Sequence, residues 1–201
     1  MTRILIAEDQ VMVREAIASL LDLEDDLSVV AQVGRGDEVV AAALAARPDV
    51  ALLDIEMPGA TGLEVLGELA AALPSCRILI LTTFGRPGYL RRAMSGGAAG
   101  FLLKDAPAAQ LSSAIRRAMA GERIVDPGLA AAALSEGDSP LTAREQEVLV
   151  ASRQHATVAQ VAAALHLSPG TTRNHLSAIM GKLGAGSRIE ALRVAEEKGW
   201  L

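Results

Sequence analysis

The stretch VALLDIEMPGATGLEVLGELAAA, residues 50–72, decides the fold of this chain. Apolar residues lead to Asp54, a loop with Pro58 follows, and from Gly62 the apolar residues recur three and four positions apart. The first pattern predicts a strand and the last predicts a helix. Because the strand does not alternate with polar residues, it is typical of a parallel sheet that is covered by helices on both faces.

The same β-α pattern occurs five times in residues 1–121. The predicted strands are Arg3–Ala7, Leu27–Gln32, Val50–Asp54, Arg77–Thr82 and Gly100–Lys104. The predicted helices are Val11–Asp22, Asp37–Arg47, Gly62–Ala72, Gly88–Ser95 and Ala108–Ala120. Right-handed crossovers between such units predict an α/β, flavodoxin-like domain with a five-stranded, doubly wound parallel sheet.

The remaining residues have a different character. Residues 122–140 contain two clusters of turn-forming residues around a short alanine-rich piece, which predicts a linker that can hold a partial helix. From Leu141 onward, capping residues and apolar spacing predict four short helices that begin near Thr142, Thr157, Ser168 and Ser187. We therefore predict an α/β domain over 1–121, a linker over 122–140 and a small all-α domain over 141–201.

Composition and charge limit the class of protein. The 201 residues are 51% hydrophobic and 21% charged, which excludes a mainly disordered chain. The net charge of −5, taken alone, disfavours nucleic acid as a partner. That charge is unevenly divided, however. Residues 1–140 hold 12 Lys and Arg against 19 Asp and Glu, a net of −7, whereas residues 141–201 hold seven against five, a net of +2.

The apolar runs are much shorter than the roughly 18 residues that a membrane helix needs, so no membrane partner is predicted. The single cysteine, Cys76, cannot form a disulfide within the chain. Both features favour a reducing, cytoplasmic location.

Polar side chains follow the ends of four predicted strands. The first strand leads to Glu8 and Asp9, the third ends at Asp54, the fourth at Thr82 and the fifth at Lys104. In an open α/β sheet, ligands bind outside the carboxyl ends of the strands where the strand order reverses. We therefore expect these five side chains to form one site.

The chemistry of this set favours phosphoryl transfer. Three clustered carboxylates repel one another, and a hard divalent cation with oxygen ligands, most simply Mg²⁺, relieves that repulsion. Asp54 can then act as a nucleophile toward a phosphoryl donor. Lys104 and Thr82 can hold the added oxygens by charge and hydrogen bond.

Residues 1–121 resemble the receiver domain of two-component response regulators. The motifs that carry the resemblance are Ala-Glu8-Asp9, Leu-Leu-Asp54-Ile-Glu-Met-Pro58-Gly-Ala-Thr-Gly62, Leu81-Thr82 and Gly-Phe101-Leu-Leu-Lys104. The resemblance implies that a sensor histidine kinase phosphorylates Asp54, and that Thr82 and Phe101 form the switch. It also implies that Mg²⁺ or Mn²⁺ is bound by Glu8, Asp9, Asp54 and the backbone carbonyl of Glu56. Two residues depart from the commonest pattern, since Glu8 replaces an aspartate and Phe101 a tyrosine.

The all-α domain contains a segment, Thr157–Leu183, with the size of a helix-turn-helix. The apolar stripe of its second helix is Leu176, Ile179, Met180 and Leu183. We expect Thr171, Thr172, Arg173, Asn174 and Ser177 to face outward near the start of that helix, where recognition helices contact bases. We expect Lys182 and Arg188, which flank the helix, to contact phosphates.

This half resembles the LuxR-type helix-turn-helix through Leu141-Thr-Ala-Arg-Glu-Gln-Glu-Val-Leu149, Val161-Ala-Ala-Ala-Leu-His-Leu-Ser168, Thr171-Thr-Arg-Asn-His-Leu176 and Lys182-Leu183. The whole chain is thus similar to the NarL/FixJ class of response regulators. The resemblance implies that Arg173, Asn174 and Ser177 read bases and that the last helix mediates dimerisation. Residues 82–89, 173–177, 188–191 and 197–200 also resemble the Des-type subgroup, which works with a membrane-fluidity-sensing kinase.

The resulting hypothesis is a transcription factor, not an enzyme, whose binding to promoter DNA is controlled by phosphorylation of Asp54, through formation of a homodimer. Slow self-dephosphorylation is compatible with it. Two alternatives remain open at this point. One is a haloacid-dehalogenase-like phosphatase, because Glu56 follows Asp54 at the spacing of that class's general acid. The other is a regulator that never uses phosphate.

Overall fold

The computed structural model describes residues 1–83, 85–105, 107–135 and 139–201. Phe84, within the segment that resembles the Des-type subgroup, and residues 136–138 of the predicted linker lie outside this described part. The chain divides into two compact units, Met1–Gly85 with Tyr89–Ala131, and Ala132–Leu201 with Arg86–Gly88.

The first unit is built on a parallel sheet with the strand order β2-β1-β3-β4-β5-β6. The strands are β1 (Thr2–Ala7), β2 (Leu27–Val33), β3 (Val50–Asp54), β4 (Arg77–Thr82), β5 (Gly100–Leu103) and β6 (Ile124–Val125). The order reverses between β1 and β3, as a doubly wound sheet requires. The α/β fold predicted from the sequence is therefore confirmed.

The sheet has one more strand than the five predicted. β6 contains two residues, which pair with Gly100 and Phe101 of β5. It lies inside the segment predicted as linker, because a two-residue strand at the edge of a sheet has no periodicity that a sequence pattern can reveal. The linker boundary at residue 122 therefore falls before the end of the sheet.

Helices alternate with the strands of the sheet. They are α1 (Val11–Leu21), α2 (Val39–Ala46), α3 (Gly62–Ala72), α4 (Pro87–Ser95) and α5 (Ala108–Met119). A sixth helix, α6 (Pro127–Ser135), includes the residues at which the two units divide. All five residues of β3 are buried, and Ile4, Leu52 and Leu79 are completely excluded from solvent. This burial explains the continuous apolar runs, since a strand covered on both faces has no side that favours polar residues.

The second unit contains α7 (Ala143–Gln154), α8 (Val158–Ala164), α9 (Pro169–Leu183) and α10 (Arg188–Glu197). These are the four helices predicted from the sequence. Thr142 and Thr157 form capping boxes, and Ser168 caps α9 by accepting the Thr171 N–H at 3.0 Å. The core of this unit contains Val148, Val161, Leu176 and Ile179 among its buried side chains. In the described part of the chain, no helix is long and apolar enough to cross a membrane.

Candidate functional site

A cluster of three carboxylates lies at the carboxyl ends of β1 and β3. Ala7 pairs with Leu53 in the register of these strands, so Glu8 and Asp9 follow β1 at the level where Asp54 ends β3. One carboxylate oxygen from each of the three side chains lies within 4.8 Å of the others. Glu8 and Asp54 are 1% and 5% exposed, whereas Asp9 is exposed. The position of these residues at strand ends predicts that their side chains lie close together, and in the structure they do.

Lys104 supplies the positive charge of this cluster. Its Nζ lies 2.6 Å from Glu8 Oε2 and 2.9 Å from Asp54 Oδ2, and the lysine side chain is 10% exposed. β5 ends at Leu103, so Lys104 stands in the following turn, one residue beyond the end of the observed strand. Its backbone N–H donates to the Thr82 carbonyl at 2.8 Å, which ties the lysine to the end of β4.

Burial and charge act against each other on these groups. Burial raises the pKa of Glu8, and the negative charge of Asp54 adds to this effect, while the neighbouring Lys104 ammonium offsets it in part. Burial would lower the pKa of Lys104, but its interactions with Glu8 and Asp54 outweigh burial, so the pKa is raised. The lysine is therefore charged at neutral pH, and two buried acids share its charge.

The oxygen atoms of this cluster are of the kind that a divalent cation prefers. Among the described residues, Glu8 Oε2 has no hydrogen bond of good geometry, although the Lys104 ammonium lies 2.6 Å away. The Lys104 charge is shared between Glu8 and Asp54, so the three carboxylates keep a net negative charge that a further cation would offset. Three carboxylates at this spacing match the oxygen ligands that Mg²⁺ and Mn²⁺ prefer.

Gly62 allows the start of α3 to lie close to the backbone of Asp54. The Gly62 N–H donates to the Ile55 carbonyl at 3.0 Å, and a Cβ at position 62 would lie 2.0 Å from the Asp54 carbonyl oxygen. A larger residue would therefore displace the start of α3. Thr61 caps this helix, and its hydroxyl and backbone N–H both bond Glu64. Glu56 is exposed in the same loop.

The two residues predicted to form the switch are both buried. Thr82 is 2% exposed at the end of β4, one position beyond Leu81, which pairs with Asp54. Phe101 is completely buried in β5, where it pairs with Ile80. The hydroxyl is thus placed at the same edge of the sheet as the carboxylates, and the aromatic ring lies in the core behind it.

In the second unit, α9 presents an exposed polar face. Thr171, Arg173, Asn174 and Ser177 are exposed, as predicted. Thr172 is a correction, because it is completely buried and its hydroxyl donates to the Ser168 carbonyl at 3.1 Å. It stands four residues before Leu176, which places both side chains on the inner face of the helix. The prediction that Thr172 faces outward was therefore wrong, and helical spacing could have shown it.

Comparison with known proteins assigns both halves of the chain to families. Residues 4–116 match the family model of the response regulator receiver domain. Residues 139–195 match that of the bacterial regulatory proteins of the luxR family. The chain is a LuxR-type response regulator. Its NarL/FixJ-like arrangement of receiver and helix-turn-helix, expected from the sequence, is confirmed.

Relatives that match along the whole chain carry names of the same kind. The regulator is 46% identical over 200 residues to the transcriptional regulatory protein DesR of Bacillus subtilis, covering 100% of this chain and 99% of that protein. It is 45% identical over 201 residues to the uncharacterized transcriptional regulatory protein YvfU of the same organism, with 100% of both chains covered. It is also similar to a crystal structure of ChrA, the response regulator of a heme-sensing two-component system. That similarity has a TM-score of 0.58 at 34% identity and covers 100% of this chain and 98% of the other. We therefore conclude that this response regulator acts on transcription.

The two predicted phosphate contacts of the regulator have protein partners. Lys182 Nζ lies 2.6 Å from Glu145 Oε2, and this pairing lowers the pKa of Glu145. Arg188 donates to the carbonyls of His155 and Ala156 at 3.1 and 3.0 Å, so it holds the turn between α7 and α8. These partners lie more than 30 positions away in the sequence, so spacing along the chain could not reveal them. Contact of either residue with DNA stays a prediction.

Proposed function

We propose that the regulator accepts a phosphoryl group on Asp54 from the phosphohistidine of a sensor histidine kinase, and that this controls its binding to promoter DNA. The observation that carries the proposal is the pocket itself. A nearly buried aspartate stands 2.9 Å from a lysine ammonium, and two further carboxylates lie within reach of a shared cation. Phosphoryl transfer needs this combination of a nucleophile and concentrated positive charge.

The transfer step is a displacement at phosphorus. An Asp54 carboxylate oxygen forms the new P–O bond while the P–N bond to the kinase imidazole breaks, and the imidazole nitrogen takes up a proton. Lys104, already within hydrogen-bond distance of Asp54, exchanges that carboxylate for a phosphoryl oxygen. The Thr82 hydroxyl, at the end of the neighbouring strand, donates to a second oxygen. The chain is a phosphoryl acceptor in this scheme and not a turnover catalyst.

The carboxylates of Glu8, Asp9 and Asp54 would hold Mg²⁺ or Mn²⁺, with the Glu56 backbone carbonyl as a further ligand. The bound ion would offset the negative charge that gathers at the phosphoryl oxygens. Lys104 and the cation have distinct roles, because the lysine occupies the inner side of the pocket between Glu8 and Asp54. Asp9 stays exposed on the outer side.

The switch couples this site to the rest of the receiver. We expect the Thr82 hydroxyl to move toward the phosphoryl group and the Phe101 ring to follow into the space that it leaves. Both are buried, so such a change repacks the core, and packed cores change between discrete arrangements. A coupling of about 1–3 kcal/mol is enough to shift the population toward a homodimer.

DNA recognition falls to α9. Arg173, Asn174 and Ser177 would read bases, because their exposed side chains carry the donors and acceptors that match base edges in the major groove. Thr171 would contact phosphate. Thr172 has no part in this surface because it is buried.

Lys182 and Arg188 can contact phosphates without leaving their protein partners. An ammonium has three N–H donors and a guanidinium has five. Lys182 uses one described bond, to Glu145, and Arg188 uses two, so donors remain available on each. The net charge of residues 141–201 is only +2, so specific binding is expected to need two subunits on paired half-sites.

The test is phosphorylation by acetyl phosphate in the presence of Mg²⁺, followed by intact mass and by binding to a DNA fragment selected for affinity. The wild-type chain should gain the mass of one phosphoryl group, dimerise and bind DNA more tightly. D54N should do none of these. D49N is the matched control, because Asp49 stands just before the other end of the same strand, where it accepts the Arg3 N–H at 2.8 Å.

Three results would contradict the proposal. A wild-type chain that gains no phosphoryl group would favour a regulator that never uses phosphate. Repeated turnover of a phosphate ester would favour a phosphatase. Phosphodonor-dependent dimerisation of D54N would show that another residue is the acceptor.

A further inference from the structure

Arg14, on α1, reaches back to the turn that carries two of the three carboxylates. Its Nη1 donates to the backbone carbonyl of Glu8 at 2.5 Å, and the side chain is half-buried there. The contact is made to the peptide between Glu8 and Asp9, so it acts on the orientation of both residues. The sequence pattern does not reveal this arginine, because it belongs neither to a strand end nor to an acidic motif.

The same turn is held on its other side by backbone and side-chain hydrogen bonds. The Glu8 N–H donates to the Val33 carbonyl at 3.1 Å, and the Gln10 N–H donates to Glu8 Oε1 at 3.1 Å. Arg14 supplies the bond to the Glu8 carbonyl. The turn between β1 and α1 is therefore fixed from β2 on one side and from α1 on the other.

Gly34 makes room for the guanidinium. A Cβ built at position 34 would lie 3.1 Å from Arg14 Nη1 and 3.9 Å from the Glu8 carbonyl oxygen. The first distance is closer than ordinary van der Waals contact, so an alanine would crowd the guanidinium and require it to shift by a few tenths of an ångström. Gly34 is not among the glycines with positive φ, so an alanine there meets no backbone strain.

Arg14 differs from Lys104 in what it contacts. Lys104 binds carboxylate oxygens directly, so it competes with a cation for them. Arg14 binds a backbone oxygen and so does not itself occupy a carboxylate oxygen of Glu8 or Asp9. Groups that orient metal ligands without touching the metal affect affinity strongly in other metal sites.

We infer that Arg14 is a positioning residue for the divalent cation of the receiver: it fixes the Glu8–Asp9 peptide, and Gly34 provides the space in which it does so. This inference rests on the proposed function, since it presumes that the carboxylate cluster binds the cation. The inference gives Arg14 a favourable effect on the affinity for the divalent cation, although its positive charge alone would lower that affinity. A cation near three carboxylates repels Mg²⁺, whereas a residue that orders the ligands favours binding.

The experiment measures Mn²⁺ binding to the full unphosphorylated chain from the EPR signal of free Mn²⁺, with thermal unfolding recorded in parallel. The variants are R14Q, G34A and the double variant. R47Q is the matched control, because Arg47 also donates from its guanidinium to a backbone carbonyl, that of Leu44, at the end of α2. The Leu44 carbonyl belongs to a peptide that carries none of the three carboxylate residues.

We expect R14Q to weaken Mn²⁺ binding on the order of tenfold, as is usual for residues that orient metal ligands. G34A should weaken it by less, because it crowds the guanidinium without removing it, and the double variant should lose no more than R14Q alone, because both changes act on one contact. R47Q should bind as the wild type does. The Mg²⁺ concentration for half-maximal phosphorylation by acetyl phosphate should rise in R14Q, while the rate at saturating Mg²⁺ stays within about twofold.

Tighter Mn²⁺ binding in R14Q would overturn the inference, since it would show that Arg14 acts through its charge. Unchanged binding in R14Q, or an equal loss in R47Q, would overturn it as well. If R14Q loses its cooperative unfolding transition, G34A decides, because it leaves the arginine in place. A wild-type chain that binds no Mn²⁺ would instead refute the proposed metal site.

Discussion

Replacing Lys104 by glutamine tests how much of the receiver's stability depends on the charge balance of the pocket. Glu8 and Asp54 are almost completely buried, and the ammonium lies 2.6 and 2.9 Å from their oxygens. Removing one partner of a buried ion pair leaves an uncompensated charge, which costs about 3–5 kcal/mol. For a domain of this size we expect a fall in the unfolding temperature on the order of 10 °C in EDTA at neutral pH.

The pH dependence of K104Q follows from the raised pKa of Glu8. An acid whose pKa is higher in the folded state than in the unfolded state binds more protons when folded, so stability falls as the pH rises between the two values. Burial already raises the pKa of Glu8 above 4.5, and the loss of the ammonium removes what offsets it. The difference between K104Q and the wild type should therefore be greatest at neutral pH and should shrink as the pH falls toward 4.5.

Mg²⁺ should rescue K104Q, because a cation among the three carboxylates replaces the missing charge. Binding to the folded state alone adds about 2.7 kcal/mol at a concentration 100 times the dissociation constant. The assay is thermal unfolding by circular dichroism in EDTA and across a Mg²⁺ titration. R117Q is the control, because Arg117 pairs with Glu122 at 2.7 Å on the exposed surface, where such pairs contribute at most about 1 kcal/mol. An unfolding temperature of K104Q equal to the wild type's in EDTA would refute the reasoning.

Four further predictions concern single residues. R173A should weaken specific DNA binding by about 1–3 kcal/mol in a footprinting titration, whereas T172V should leave the footprint unchanged, and equal footprints for R173A and the wild type would refute the role of Arg173. If Lys182 contacts a phosphate, K182Q should lower the slope of the logarithm of DNA affinity against the logarithm of salt concentration by about 1. An unchanged slope would show that Lys182 only pairs with Glu145. G62A should destabilise the receiver in urea unfolding, because its Cβ would stand 2.0 Å from a backbone oxygen, and an unchanged midpoint would contradict that steric reading. Burial raises the pKa of the Cys76 thiol to about 12, so a thiol reagent should label it at pH 8 only when the chain unfolds, and rapid labelling of the native protein would count against its burial.

Most of the carboxylate and lysine cluster could be predicted from the sequence because its residues follow strand ends. Continuous apolar runs identify parallel strands, and parallel strands bring their carboxyl ends to one edge. Asp54 and Thr82 therefore end neighbouring strands, and in the register of β3 and β4 Asp54 pairs with Leu81, one residue before Thr82. Helix α9 can be predicted by a different signal, the apolar residues at helical spacing.

Two features differ from the sequence prediction, the additional strand β6 and the burial of Thr172. β6 has two residues, too few for any pattern, and its pairing with Gly100 and Phe101 depends on where the chain returns after α5. Thr172 was placed outside although it stands on the same helical face as Leu176. A small polar residue can be buried when a local backbone oxygen accepts its hydroxyl, and the Ser168 carbonyl does so.

The sequence by itself determined the two-part architecture, the acidic edge of the sheet and the opposite charges of the two halves, because all three follow from local pattern and composition. Only the tertiary structure decided which oxygen atoms each arginine or lysine side chain contacts. Arg14 reaches a backbone carbonyl, Lys104 stands between two acids, and Lys182 pairs with Glu145. In the unfolded chain, water solvates long charged side chains wherever they stand in the sequence. Their contacts are determined only when folding places a buried oxygen within their reach.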